Sequence, residues 1–294
     1  MPEKAVQHTE PFPHLHTEVR HLATADLHAR RACILTDRWI SYPAAEDVLY
    51  RLFELLDMPP RVRMPSLLFW AHPNMGKTFI QRHFLEIYSK RGEGENGAVL
   101  WMEINDGLTE KRLYLDLLTA LNAPAPDATA ARLQSMLMRH LKARSINMIM
   151  LDELQRATEL RQRDQRTILN ALKYLSNQLS ISIVGFGSGE AKALIESDDH
   201  LSERFDVIEL PKCGKREKWL VDLVRARVEY FPLRKATSVD RAMMECLLFH
   251  SNFLLGRLIR LLERAAIAAL DNQEHISADL IEAVATRRRL TENG

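Results

Sequence analysis

Ser66-Leu67-Leu68-Phe69-Trp70-Ala71-His72-Pro73-Asn74-Met75-Gly76-Lys77-Thr78 is the stretch that decides the fold. Its first five residues form a short apolar run, the pattern of a buried parallel strand. The next eight fit A/G-x4-G-K-S/T, the phosphate-binding loop. From Phe79 to about Lys90, apolar Phe79, Ile80, Phe84, Leu85, Ile87 and Tyr88 predict a helix. Strand, tight loop and helix are the context in which this motif works. Backbone N–H groups around Gly76, from Asn74 to Phe79, are expected to cradle phosphate oxygens, helped by the positive end of the helix. Lys77 would reach the β- and γ-phosphates of ATP, and the Thr78 hydroxyl would hold Mg²⁺. Ala71 stands where glycine is commoner, and fits if its φ stays negative.

Downstream, Ala98–Ile104 reads as a second strand that ends at Asn105. Helices are expected over about 110–121 and 128–143, separated by Pro124 and Pro126. Met148-Ile149-Met150-Leu151-Asp152-Glu153 is a buried strand ending in two carboxylates. Asp152 is placed to hold Mg²⁺ through water and Glu153 to orient or deprotonate the attacking water. An apolar strand ending in Asp is weak evidence alone and strong evidence downstream of a phosphate loop. Asn105 has two readings: a switch that hydrogen-bonds Glu153, or an ordinary loop-start residue. A helix over about 165–179 precedes a strand at Ile181–Phe186. Ser188 follows it, either sensing the γ-phosphate or capping a turn. Arg204, in Leu201–Phe205, precedes a fifth strand at Val207–Leu210. It is either an arginine finger entering a neighbouring subunit or a surface salt bridge.

Upstream, residues 1 to about 17 read as flexible, with Pro2, Pro11 and Pro13 among His8, His14 and His16 in loose spacing. A helix is expected from Glu18 to about Ser41, stopped by Tyr42-Pro43, and another over about 44–57, stopped by Pro59-Pro60. Beyond Pro211 no strand is evident, and four helical stretches fall near 215–230, 239–250, 256–270 and 277–288. The expected organisation is an N-terminal extension over 1–59, an α/β nucleotide-binding domain over 60–211 and a helical lid over 212–294. Arg257 or Arg260, opening a lid helix, is the candidate second sensor of the nucleotide.

The 294 residues are 46% hydrophobic and 27% charged, enough for a sizeable core. The net charge of +1 argues neither for nor against nucleic acid. Three widely spaced cysteines, Cys33, Cys213 and Cys246, exclude a complete disulfide framework and any C-x-x-C metal site, and read as small buried hydrophobes. The start does not resemble a signal peptide and no apolar run reaches membrane length, so a cytoplasmic location is expected.

Together these motifs resemble those of AAA+ ATPases, and within that class the TniB family. The resemblance is carried by Trp39–Ala45, Arg63–Leu68, Asn74–Thr78, Leu151–Gln155 and Val184–Ser188, and spans roughly residues 30–285. TniB proteins are regulator ATPases of transposons, similar to TnsC and MuB. The resemblance implies a five-stranded parallel AAA+ core and a homo-oligomer, ring or filament, that forms with ATP on double-stranded DNA. It also implies recruitment of a TniA-like transposase, contact with a TniQ-like targeting protein, and disassembly on hydrolysis. Contact with DNA would run through phosphates. Lys111 and Arg112, after the second strand, are the candidate contacts. A second basic series, Arg132, Arg139, Lys142 and Arg144, reads better as a solvated helix face. A replication initiator or helicase loader shares the same core and is the main alternative. A monomeric kinase has no use for Arg204 or the lid, and Glu153 argues against a module that merely holds nucleotide.

Overall fold

The computed structural model describes residues 11–91, 99–198, 202–215 and 217–292, the side chains of 288–292 excepted. Five strands, β1 Ser66–Trp70, β2 Val99–Glu103, β3 Met148–Asp152, β4 Ser182–Gly187 and β5 Phe205–Glu209, form one sheet in the order β2-β3-β4-β1-β5. Every pairing is parallel, as the sequence predicts. β3 and β4 are buried throughout and β1 nearly so, which is why their sequences are continuous apolar runs rather than alternations. The edge strands β2 and β5 are partly exposed and more polar.

The chain divides into two compact units, Ala44–Pro211 and Met1–Pro43 with Lys212–Gly294. The first holds the sheet with, among the described residues, α2 Pro43–Leu56, α3 Lys77–Lys90, α4 Glu110–Ala120, α5 Ala130–Ala143, a 3-10 turn Leu154–Glu159, α6 Gln162–Leu179 and α7 Gly189–Glu196. Thr109 and Thr129 cap α4 and α5 through their side chains, which accept from the N–H groups of Arg112 and Arg132. One core cluster runs from β2 and β3 through Leu113, Tyr114 and Leu117 of α4, Leu133, Leu137 and Leu141 of α5, and Leu169 and Leu172 of α6. The spacings of three and four within each helix generate that stripe. The 3-10 turn and α7 are additions to the sequence reading.

The second unit contains the 3-10 turn Arg20–Thr24, α1 Leu27–Leu35, α8 Lys218–Glu229, α9 Arg241–Ser251, α10 Leu255–Leu270 and α11 Ala278–Glu292. The expected extension over 1–59 is therefore not a unit of its own. It splits at Pro43, where α2 begins and joins the α/β unit. The long helix expected from Glu18 to Ser41 is also corrected. Asp26 accepts a hydrogen bond from Ala29 N–H at 2.9 Å and starts a new helix after the 3-10 turn. Nor is the segment from residue 11 to 17 a loose tail. Leu15 and Val19 are 3% and 1% exposed and pack with Ala23 and Cys33. His14 Nε2 lies 3.0 Å from the Leu233 carbonyl oxygen, and His16 stacks on Tyr230 at 4.3 Å. These two imidazoles pack against the C-terminal half; His8 lies outside the described residues.

Two buried arginines tie this unit together. Arg30, 2% exposed, donates through Nε and Nη2 to the Pro232 carbonyl at 3.0 and 2.8 Å, and through Nη1 to Glu274 at 2.9 Å. Arg227 Nη2 donates to the carbonyls of Ile34 and Thr36 and to Glu263. Both bind residues distant in sequence, so they hold chain ends together where a parallel sheet is lacking. Such bonds offset the cost of burying a guanidinium.

Candidate active site

In an open parallel sheet, ligands bind beyond the carboxyl ends of the strands. β1 delivers the phosphate loop there, and β3, on the far side of β4, delivers Asp152-Glu153. Ala71 N–H donates to the Gly187 carbonyl at 3.1 Å, fixing the start of the loop to the end of β4. Ala71 keeps a negative φ, so the departure from glycine costs the loop no strain. Asn74 and Gly76 take φ of 65° and 85°, the left-handed region in which glycine is unstrained. Gly76 caps α3, and its carbonyl accepts from Ile80. The loop thus curls over the N-terminus of a fourteen-residue helix, where N–H groups and helix dipole favour an anion.

Lys77 is 9% exposed, and its ammonium donates to the Ala71 carbonyl at 3.5 Å, the outer limit of a hydrogen bond. Burial pushes its pKa below the ordinary lysine value, opposed by the charges of Glu153 and Asp152. A buried ammonium so weakly held has donors to spare for phosphate oxygens. Thr78 Oγ1 donates to Asp152 Oδ2 at 2.8 Å, joining the two motifs directly. Asp152 is 1% exposed, and its other oxygen accepts from Glu153 N–H at 2.9 Å. A hydroxyl and a carboxylate side by side, all oxygen, are the donor set that a hard cation such as Mg²⁺ takes. The residues present therefore fit both nucleotide and metal. Phe79, the last of the loop positions, is 37% exposed at the first turn of α3.

Glu153 stands in the left-handed region, φ 56°, at the start of the 3-10 turn. Its carboxylate accepts a hydrogen bond from the Gln155 amide, and Gln155 Oε1 accepts from Ser188 N–H at 3.1 Å. One side chain thus bridges the candidate catalytic carboxylate and the end of β4. The glycines of β4 permit this. A Cβ on Gly187 would lie 2.4 Å from Ala191 Cβ and 3.0 Å from Gln155 Oε1, and one on Gly185 2.7 Å from Leu154. Sequence reading did not assign Gln155 a role. Its place two residues after Glu153 and the paired glycines of β4 were the available signals. The Ser188 hydroxyl donates to Glu190 within its own turn. Asn105 is exposed at the end of β2, and Glu153 takes its hydrogen bond from Gln155 instead. The nearby clasp is Arg156, which donates to the Ile104 carbonyl at 2.7 Å and pairs with Glu103 and Asp106.

Arg204 precedes β5, and its carbonyl accepts from Ser66 N–H at the start of β1. At about 3.3 Å per strand residue, that is about 17 Å from the start of the phosphate loop of the same chain. Its guanidinium donates to Asn177 at 2.7 Å. Lys111 and Arg112 are half exposed at the start of α4, paired with Asp127 at 2.5 Å and Asp116 at 2.8 Å. The Lys111 hydrogen bond holds the Asp127 carboxyl below its usual range. Arg257 is exposed in the first turn of α10, in the helical unit.

A family model described as bacterial TniB protein matches residues 30–215. No curated protein matches the chain. Among solved structures, Aeropyrum pernix ORC1 in complex with DNA is similar at a TM-score of 0.65 and 18% identity, covering 87% of this chain and 69% of that one. Cdc6p from Pyrobaculum aerophilum gives 0.62 and 19%, covering 83% and 67%. Domain III of Thermotoga maritima DnaA gives 0.54 and 13%, covering 84% and 92%. At these identities the likeness is one of fold, the AAA+ core that the sheet order already displays.

Proposed function

The chain belongs to the TniB family and is an AAA+ ATPase, and we propose that it regulates DNA transposition as an ATP-dependent oligomer on duplex DNA. The observation that carries this reading is the family match, joined to a site in which Thr78 and Asp152 already touch at 2.8 Å. Loop N–H groups and Lys77 bind the phosphates, and Thr78 and Asp152 would hold Mg²⁺, which when bound would supply positive charge against that of the phosphates. Glu153 takes the proton of the attacking water while Gln155 orients its carboxylate. Ser188 reads the γ-phosphate from the end of β4. Arg257 contacts the nucleotide from the helical unit, and Asn105 stands by to engage Glu153. Assembly on DNA presents the cytoplasmic protein to a TniA-like transposase and a TniQ-like protein, and hydrolysis releases it.

Arg204 acts in trans. Its distance from its own phosphate loop leaves a neighbouring subunit as the only nucleotide it can serve. Lys111 and Arg112 contact DNA phosphates by exchanging their present carboxylate partners. The Lys111 pair is exposed and therefore weak, so its exchange is inexpensive, whereas release of Arg112 leaves Asp116, 13% exposed, without its cation and costs more. A replication initiator or helicase loader shares the same core and is the second reading; among the structures of similar fold, Thermotoga maritima DnaA is a replication initiation protein.

Sedimentation with and without ATP and duplex DNA tests the proposal. Large assemblies are expected only when both are present; a protein that stays monomeric with both is not a polymerising regulator. Mixing Arg204→Ala with Lys77→Ala chains then tests trans action. Each alone should lack DNA-stimulated hydrolysis, and co-assembly should restore some, because one interface type contains an intact site. Full stimulation in Arg204→Ala alone would make Arg204 a surface residue.

A further inference from the structure

The helical unit carries a cluster of metal-type donors that the nucleotide chemistry does not use. Cys246 and His250 lie four residues apart on α9, hence one turn apart on one face. Glu282 comes from the second turn of α11, which packs beside α9. Cys246 Sγ lies 3.6 Å from Glu282 Oε2, and His250 Nε2 lies 2.5 Å from that same oxygen. All three donor atoms fall within 4.8 Å of one another.

We propose that Cys246, His250 and Glu282 form a zinc-type metal site that cross-links α9 to α11. A tetrahedral ion with bonds of about 2.3 Å to sulfur and about 2.0–2.2 Å to nitrogen and oxygen requires S···O near 3.6 Å and N···O near 3.4 Å. The first separation is present already. The second needs the imidazole and carboxylate to part by about 0.9 Å as an ion replaces the shared proton. The two residues divide that task well. The His250 side chain is 4% exposed and set edge-on to Phe249, so it stays put. The Glu282 side chain is 60% exposed, so the shift carries it toward water, and it leaves the ion an entry path.

The Cys246 thiol lies 3.6 Å from that oxygen and 3.7 Å from the Ala278 carbonyl, so a metal would draw it from a hydrogen bond on the same helix junction. The donor set also selects the metal. Thiolate and imidazole suit Zn²⁺ or Co²⁺, whereas Mg²⁺ prefers the all-oxygen pair Thr78 and Asp152. Three protein ligands leave a fourth position for water or a further ligand.

Titration of the chelator-stripped full chain with Co²⁺ and then Zn²⁺ tests the site. The wild type should bind one Co²⁺ with a sulfur-to-cobalt charge-transfer band that Zn²⁺ abolishes. Cys246→Ser should lose the band, and Cys33→Ser and Cys213→Ser should keep it. His250→Ala should weaken binding by at least about a hundredfold, beyond the ten- to hundredfold typical of outer-shell changes. Glu282→Gln, an exposed change that leaves the fold intact, should weaken it by about tenfold or more. Zn²⁺ should raise the melting temperature of the wild type and not of His250→Ala, with ATP affinity equal in both. A wild type without the band, a band that survives Cys246→Ser, or Glu282→Gln binding cobalt like wild type would each overturn the site.

Discussion

The two units bury charge for opposite ends. In the α/β unit, Lys77 is 9% exposed and its ammonium has one long contact at 3.5 Å, so the charge is kept ready for something that arrives. In the helical unit, Arg30 is 2% exposed and is bonded to Pro232 and Glu274 from three nitrogens. Burial depresses the Lys77 pKa, which means that the site works against the folded state. Arg30 instead fastens α1 to the turn after α8 and to the residues following α10. Lys77 keeps its donors for a ligand, whereas Arg30 spends its donors on its own chain.

The contrast can be broken in order of expected effect. Glu153→Gln removes the carboxylate that accepts the water's proton and should cut turnover by about 10²–10⁴-fold, with ATP binding and melting temperature unchanged. Steady-state hydrolysis beside nucleotide titration checks this; near-normal turnover removes Glu153 from the mechanism. Arg30→Ala should do the reverse. It leaves Glu274 and the Pro232 carbonyl without their partner and should cost about 3–5 kcal/mol in denaturant unfolding of the helical unit. Nucleotide binding at the phosphate loop should survive. Equal loss of both would mean that the units do not divide the work in this way.

Lys77→Ala should weaken ATP binding by about 10–100-fold, the value of a charge-assisted hydrogen bond of about 1.5–3 kcal/mol. It should leave stability at neutral pH equal or slightly higher, because a desolvated ammonium is removed. A marked fall in melting temperature would show that Lys77 is structural after all. The double change Lys111→Ala and Arg112→Ala is the mildest. DNA binding should weaken alike on all sequences, and the slope of log affinity against log salt should flatten by about one or two units. A sequence-selective loss would assign these residues to base reading instead.

The strands and the two chemical motifs were legible in the sequence because each is local. An apolar run of five, a left-handed glycine before Lys77 and a carboxylate closing a buried strand need no distant partner to be read. Asn105 shows the limit. Its position at a strand end suggested it as a partner for Glu153, whereas no such cue announced Gln155, the residue whose amide the carboxylate takes in this structure. That choice depends on how closely the 3-10 turn approaches β4, which no spacing rule encodes. Cys246 shows it again. Motif reading looks for paired cysteines, whereas this thiol meets a histidine one turn on and a glutamate 36 residues away.

What the sequence by itself determined is the sheet, its phosphate loop, the acidic strand end and the helical character of the last eighty or so residues. Periodicity and backbone chemistry fix these within a dozen residues. Only the tertiary structure decided that residues 11–43 join the C-terminal helices, that Arg30 and Arg227 are buried fasteners, and that Gln155 links Glu153 to Ser188. Those outcomes rest on contacts between residues that are about 30 to more than 200 positions apart. The geometry of such a contact is set by packing, so the same arginine in a helix pattern reads identically whether it meets water or a buried carbonyl.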